Sequence, residues 1–254
     1  MKHSILFSLT ILFVLASCSK DNNNNQQDNI ANFNSQICAN VTGATALYWD
    51  YAHGLPTGLT QIPTLSNPGQ QFIHSQYPGL GFTMPQGYSA TEITIPQVQA
   101  LGVNVLRDDS NVLWRYMPSL SLPGNVGVND IIALEINTMF QTLGFNGTPT
   151  VLCTTTQTGS IGGGFQNTFG ARLIRFGNFT ALVWVNTLFE PSLGVTFASL
   201  SVSFAPTNEF DTVVMQTFLP ISFQLLIIND EVRDSDADGY PDSIDNFPFD
   251  PTRH

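Results

Sequence analysis

Short apolar runs cut by glycine, proline and asparagine fill most of the chain between residues 80 and 205. One set covers residues 82–84, 93–95, 103–107 and 112–116; a second covers 148–155, 171–176, 179–185 and 195–204. Their wealth of Val, Ile, Phe and Thr, bounded by turn residues, predicts β-strands. Asp108-Asp109-Ser110-Asn111 and Gly177-Asn178 have turn compositions and predict two hairpins. Gly162-Gly163-Gly164 predicts a mobile hairpin tip within residues 159–168. The period changes twice. Ile132, Ile136, Met139, Phe140 and Leu143 fall at helical spacing, with Asn129 as expected N-cap, Asp130 in the first turn and Gly144 as a stop. Phe210, Val213, Val214, Thr217, Phe218 and Ile221 repeat the helical pattern after Pro206, and Pro220 should end or kink that helix. Each stripe has to pack on a sheet. The expected class is therefore α+β, an antiparallel β-sheet with two packed helices over residues 41–229.

The two ends of the chain depart from this pattern. Residues 5–16 are almost wholly apolar, follow Lys2, and are too short to span a bilayer, as in a signal segment. They end in Leu15-Ala16-Ser17-Cys18, which resembles the lipobox of bacterial lipoproteins. The resemblance implies a signal peptide over 1–17 and a diacylglycerol on the Cys18 thiol, and hence an outer-membrane location that extends to the cell surface if the following residues act as an export signal. An ordinary signal peptide that happens to contain a Cys is the alternative. Residues 18–40 begin with a polar, Asn- and Gln-rich stretch that cannot bury surface and is expected to be a disordered tether. Asp at the second mature position, the common inner-membrane retention signal, is absent, because Ser19 stands there.

Charge narrows the function. The chain has 8 Lys and Arg against 19 Asp and Glu, net −11, so no basic face exists for nucleic acid. Residues 230–254 hold eight acids and two arginines, more than half of the net charge in a tenth of the chain. Lys is absent after Lys20, which removes Schiff-base lysines and a phosphate-loop lysine. After Cys18 two cysteines remain, Cys38 and Cys153; an oxidising compartment permits one disulfide between them, or two buried thiols.

No catalytic motif is present. His53 and His74 lie in no zinc spacing, Ser160 lacks the first Gly of a nucleophile elbow, and no dinucleotide loop occurs. Four features invite a stronger reading. Asp108-Asp109 suits paired carboxylates but better suits a solvated turn. Asp50 with His53 suits a general-base pair but better suits a surface loop. Arg172 and Arg175 suit an anion but point to opposite strand faces. Tyr48, Trp49 and Tyr51 suit stacking on a sugar or peptide but better suit core packing.

The tail is the most specific signal. Residues 234–245 place Asp234, Asp236, Asp238, Asp242 and Asp245 at loop positions 1, 3, 5, 9 and 12, with Gly239 at 6. Alternate carboxylates in a tight turn converge on a hard cation, so calcium is the expected cofactor, with Tyr240 contributing its carbonyl and Asp242 acting through water. The loop resembles an EF-hand loop, but Asp replaces Glu at position 12 and Pro241, Pro248 and Pro251 interrupt any exiting helix. With Asp245-Asn246-Phe247-Pro248 it more closely resembles a single thrombospondin type 3 repeat of bacterial surface proteins, spanning about 20 residues of 230–254. For the main domain, Gly81-Phe82-Thr83-Met84-Pro85-Gln86-Gly87-Tyr88 and Ala205-Pro206 before Phe210-Asp211 resemble the PsbP/Mog1-like sandwich, although Tyr88 stands where Trp is usual. That resemblance implies binding or assembly rather than catalysis. The expected function is a lipid-anchored envelope protein whose domain binds a partner not identified by the sequence; the alternative is an extracellular hydrolase with a calcium-stabilised tail. A cleft gathering two or more of Asp50, His53, Glu92, Asp108, Glu135 and Glu190 would favour the hydrolase.

Overall fold

The computed structural model describes residues 38, 40–54, 59, 63–162, 165–227, 246–247 and 252–253. Cys18, the tether before Cys38 and the loop of residues 234–245 lie outside the described residues.

The domain is α+β. Helix α1 (Gly43–Ala52) is followed by strands β1 (Pro68–His74), β2 (Tyr77–Pro85), β3 (Tyr88–Ile95), β4 (Ala100–Arg107) and β5 (Leu113–Pro123). Helix α2 (Val128–Thr142) leads into β6 (Thr150–Gly162), β7 (Phe165–Phe176), β8 (Phe179–Glu190) and β9 (Val195–Pro206). The chain then enters α3 (Phe210–Val213), a π turn (Val214–Phe218) and α4 (Leu219–Ile227). β1 and β2 form a two-stranded ribbon, and the other seven strands form one antiparallel sheet in the order β3-β4-β5-β9-β8-β7-β6.

This sheet is covered on both faces, which is why its central strands are apolar nearly throughout. On β8 the side chains of Ala181, Val183 and Val185 join Ile132 and Ile136 of α2, while Leu182 and Trp184 join the opposite core with Tyr48, Phe82, Phe210 and Phe218. The alternation follows from the two-residue strand period. The two helices expected from the sequence therefore lie on opposite faces, α2 on one and α3 with α4 on the other, where α1 and the β1–β2 ribbon join them.

Three expectations are corrected in detail. α2 starts at Val128, with Gly127 at the cap position and no side-chain cap; Asn129 lies inside the first turn. Val128 is 3% exposed, so its burial extends the helix beyond the polar cap signal. The region of Asp50 and His53 is helix α1, not a surface loop. Its consecutive buried residues Tyr48, Trp49 and Asp50 leave no one-sided apolar stripe to read. Finally, Pro220 does not end its helix. Proline lacks an N–H and crowds the carbonyl four residues back, and the wider π turn Val214–Phe218 accommodates both before α4 continues.

Two glycines are required locally. Gly177 turns the β7–β8 hairpin at φ +51°. Gly102 sits on β4 where β5 is bulged, and a Cβ there would meet the Tyr116 carbonyl oxygen at 2.5 Å.

Candidate functional site

The residues singled out by the sequence are dispersed over the fold, and most have a structural partner. Glu92 on β3 accepts from the Ser75 backbone N–H and hydroxyl, each at 2.6 Å, which lowers its carboxyl below the usual range. Glu135 on α2 accepts from Arg115 at 2.6 Å, and Arg115 also donates to Asn104 at 2.7 Å. Glu190 ends β8 and accepts from the Ser192 hydroxyl at 2.6 Å. Asp108 and Asp109 occupy the β4–β5 turn. The Asp108 N–H donates to the Gly87 carbonyl, while Asp109 takes a forked contact from Arg107 at 2.9 and 2.7 Å. That guanidinium, which also reaches Glu209 at 2.8 Å, holds Asp109 down to about 2.

Asp50 lies on α1, and His53 is the residue that caps its C-terminal end. Asp50 is 4% exposed. His53 Nδ1 meets the Trp49 carbonyl at 2.7 Å and Nε2 meets the Thr155 hydroxyl at 2.6 Å. Burial lowers its pKa to about 4, against the raising effect of the Trp49 carbonyl bond. The ring therefore stays neutral at pH 7 and joins α1 to β6. Tyr48, Trp49 and Tyr51 pack inward. Tyr48 stacks on Phe218 at 5.5 Å, and burial pushes its hydroxyl up to about 12.

Sequence reasoning missed the cap of α1, whereas the disulfide beside that helix is one of the two alternatives the sequence left open for Cys38 and Cys153. The first turn of α1 has no local cap, and Asp211 on α3 fills that role from 166 residues away. One carboxylate oxygen accepts from the Thr45 N–H at 2.8 Å and from its hydroxyl at 2.6 Å. Cys38, just before α1, is joined by a disulfide to Cys153 on β6, with Cα atoms 5.3 Å apart. Arg172 donates to Asn129 in the first turn of α2, while Arg175 is exposed on the opposite face of β7.

A groove of about 280 Å³ opens where the first turn of α2 meets the ends of β7 and β8. Asn125, Val128, Gln166, Thr168 and Phe189 line it, together with Thr187, which is 6% exposed. None of its lining residues is ionisable. Loop residues and strand ends build it, which no local sequence signal would have gathered. Carboxamide, hydroxyl and aromatic groups there can hydrogen-bond and pack against a neutral ligand, but they supply no acid, base or nucleophile of shifted pKa.

Among the described residues, no three His, Cys, Asp or Glu side chains converge as a metal site. No described helix is long and apolar enough to cross a membrane. No protein-family model matches the chain, and no curated protein matches it.

Proposed function

We propose that this protein is a lipid-anchored module of the outer bacterial envelope that binds a partner without chemical turnover and carries one structural calcium ion in its tail. The observation that carries the binding assignment is the groove at the start of α2, none of whose lining residues is ionisable. Arg107, Arg115, Glu92, Glu135 and Glu190 are each engaged in ion pairs or hydrogen bonds that serve the fold. The sheet between helical layers also suits the PsbP/Mog1-like resemblance, with its bias toward binding and assembly.

The anchor rests on the Leu15-Ala16-Ser17-Cys18 run. Acyl chains contribute about 0.8 kcal/mol per buried CH₂, so several together hold a protein on a bilayer. Cys18→Ser should release the protein from the membrane fraction and abolish labelling by palmitate; a variant that still pellets and still incorporates label overturns the assignment. Calcium rests on the five aspartates around Gly239. Asp234, Asp236, Asp238 and Asp245 would bind directly, Tyr240 through its carbonyl and Asp242 through water, with the Kd of about 10⁻⁴–10⁻³ M typical of extracellular modules. Calorimetry should show calcium heats that Asp236→Ala with Asp238→Ala removes; equal heats from parent and variant overturn it.

A further inference from the structure

Residues 136–189 contain no Asp or Glu, in a chain of net charge −11. They build β6, β7 and nearly all of β8, which form one end of the seven-stranded sheet. β6 is the outermost strand there. It pairs with β7 and, among the described residues, with no strand on its other side. A free strand edge is a template for another strand, and proteins usually block it with charge, proline or bulges. Thr150–Gly162 contains no charged residue and no proline. Its two irregularities lie near its ends, between Val151 and Cys153 and between Ser160 and Gly162, which leaves residues 153–160 in regular register. The opposite edge, β3, carries Glu92 and has the β1–β2 ribbon beside it.

We propose that β6 pairs antiparallel with β6 of a second copy of this chain, joining two seven-stranded sheets about a two-fold axis. The occupant is a copy because the edge complements itself. A register centred on Thr156 keeps the pairing within the regular stretch and sets Thr154 opposite Thr158, and Thr–Thr pairs are favourable across antiparallel strands. Two strongly acidic chains repel through their carboxylate-bearing surfaces, and here neither β6 nor β7 supplies a carboxylate. The nearest like charges are Arg172 and its mate. They lie about four residues along and three strand spacings across, roughly 20 Å apart and beyond the Debye length of about 8 Å. Thr154, Thr156 and Thr158 are exposed, so the pairing buries side chains as well as amides. The inference is independent of the lipid and calcium assignments.

Sedimentation equilibrium on the chain from residue 19 onward, which retains every described residue, tests it. The mass should rise from monomer to dimer with a Kd between about 1 μM and 1 mM. Thr156→Lys should weaken the dimer at least about tenfold by placing like charges across the axis, with partial recovery in high salt. Thr91→Lys, exposed on β3, should leave it unchanged. Independently of any variant, amide exchange over residues 153–160 should slow as concentration rises. A monomer throughout, a Thr156→Lys chain that dimerises like the parent, or concentration-independent exchange in that segment overturns the proposal.

Discussion

Acidification to about pH 5 should cost the fold about 2 kcal/mol through the His53 ring. The Trp49 carbonyl can only accept, so Nδ1 carries the proton, and Nε2 accepts from the Thr155 hydroxyl. Trp49 and Phe169 lie against the ring at 4.4 and 4.8 Å, and their bulk keeps water away. Burial thus lowers the pKa from 6.5 to about 4. Because the folded value lies below the unfolded one, the unfolded chain takes up the proton first. The stability held by the neutral ring is complete above about pH 6.5 and is lost as pH falls toward 4. Linkage between those two values gives a population factor of about 30 at about pH 5, or about 2 kcal/mol, rising to about 3 kcal/mol below pH 4. Asp109, held to about 2, loses its contribution only below its ordinary 3.8, outside this window. Urea unfolding followed by tryptophan fluorescence, at about pH 8 and about pH 5, should show the parent losing about 2 kcal/mol more than His53→Leu. Parallel pH slopes for the two proteins would refute the argument.

Three further outcomes follow from the packing. Replacing Cys38 and Cys153 by Ala opens a loop of sequence separation 115 and should lower stability by up to about 5 kcal/mol in urea titrations; a loss below about 1 kcal/mol would mean the reduced chain is already constrained. Arg115→Met should cost about 2–4 kcal/mol, because it strands the Glu135 carboxylate at 12% side-chain exposure, whereas Arg115→Met with Glu135→Leu should recover part of that loss in a double-mutant cycle. Gly102→Ala should lower the thermal midpoint by several degrees, since its Cβ meets backbone and not a flexible chain end, and an unchanged midpoint would show that β5 yields.

What could be read from the chain was what repeats locally. The two-residue period marked β4, β5 and β7–β9, and Gly177-Asn178 gave their tightest hairpin, because cross-strand neighbours there are also sequence neighbours. The stripe from Ile132 to Leu143 showed α2 for the same reason. α1 escaped because it is wrapped on several sides, so no polar face sets off an apolar one. β1 was hidden as well: its burial runs exposed for four residues before Phe72, and only the pairing of Phe72 with Phe82 makes it a strand. The π turn reflects a contest between Pro220 and the buried Phe218 and Ile221, decided by tertiary packing. The groove at the start of α2 combines residues 125–128 with 166–191, so it exists only once the sheet order is set. The N-terminal run and the acidic loop, in contrast, are contiguous signals and needed no fold to be seen.

The bond between Cys38 and Cys153 also sets how a tug on the N-terminal segment travels through the molecule. Tension entering at Cys38 crosses the sulfurs directly to β6 and continues only through residues after 153. α1, the β1–β2 ribbon, β3, β4, β5 and α2 all lie inside the closed loop and bear none of it along their backbone. A protein held by its N-terminus in a shearing flow would thus pass the strain to the β6–β9 meander, whose strands of 12 to 13 residues are each paired along nearly their whole length. The β3–β5 half of the sheet would ride as slack inside the loop.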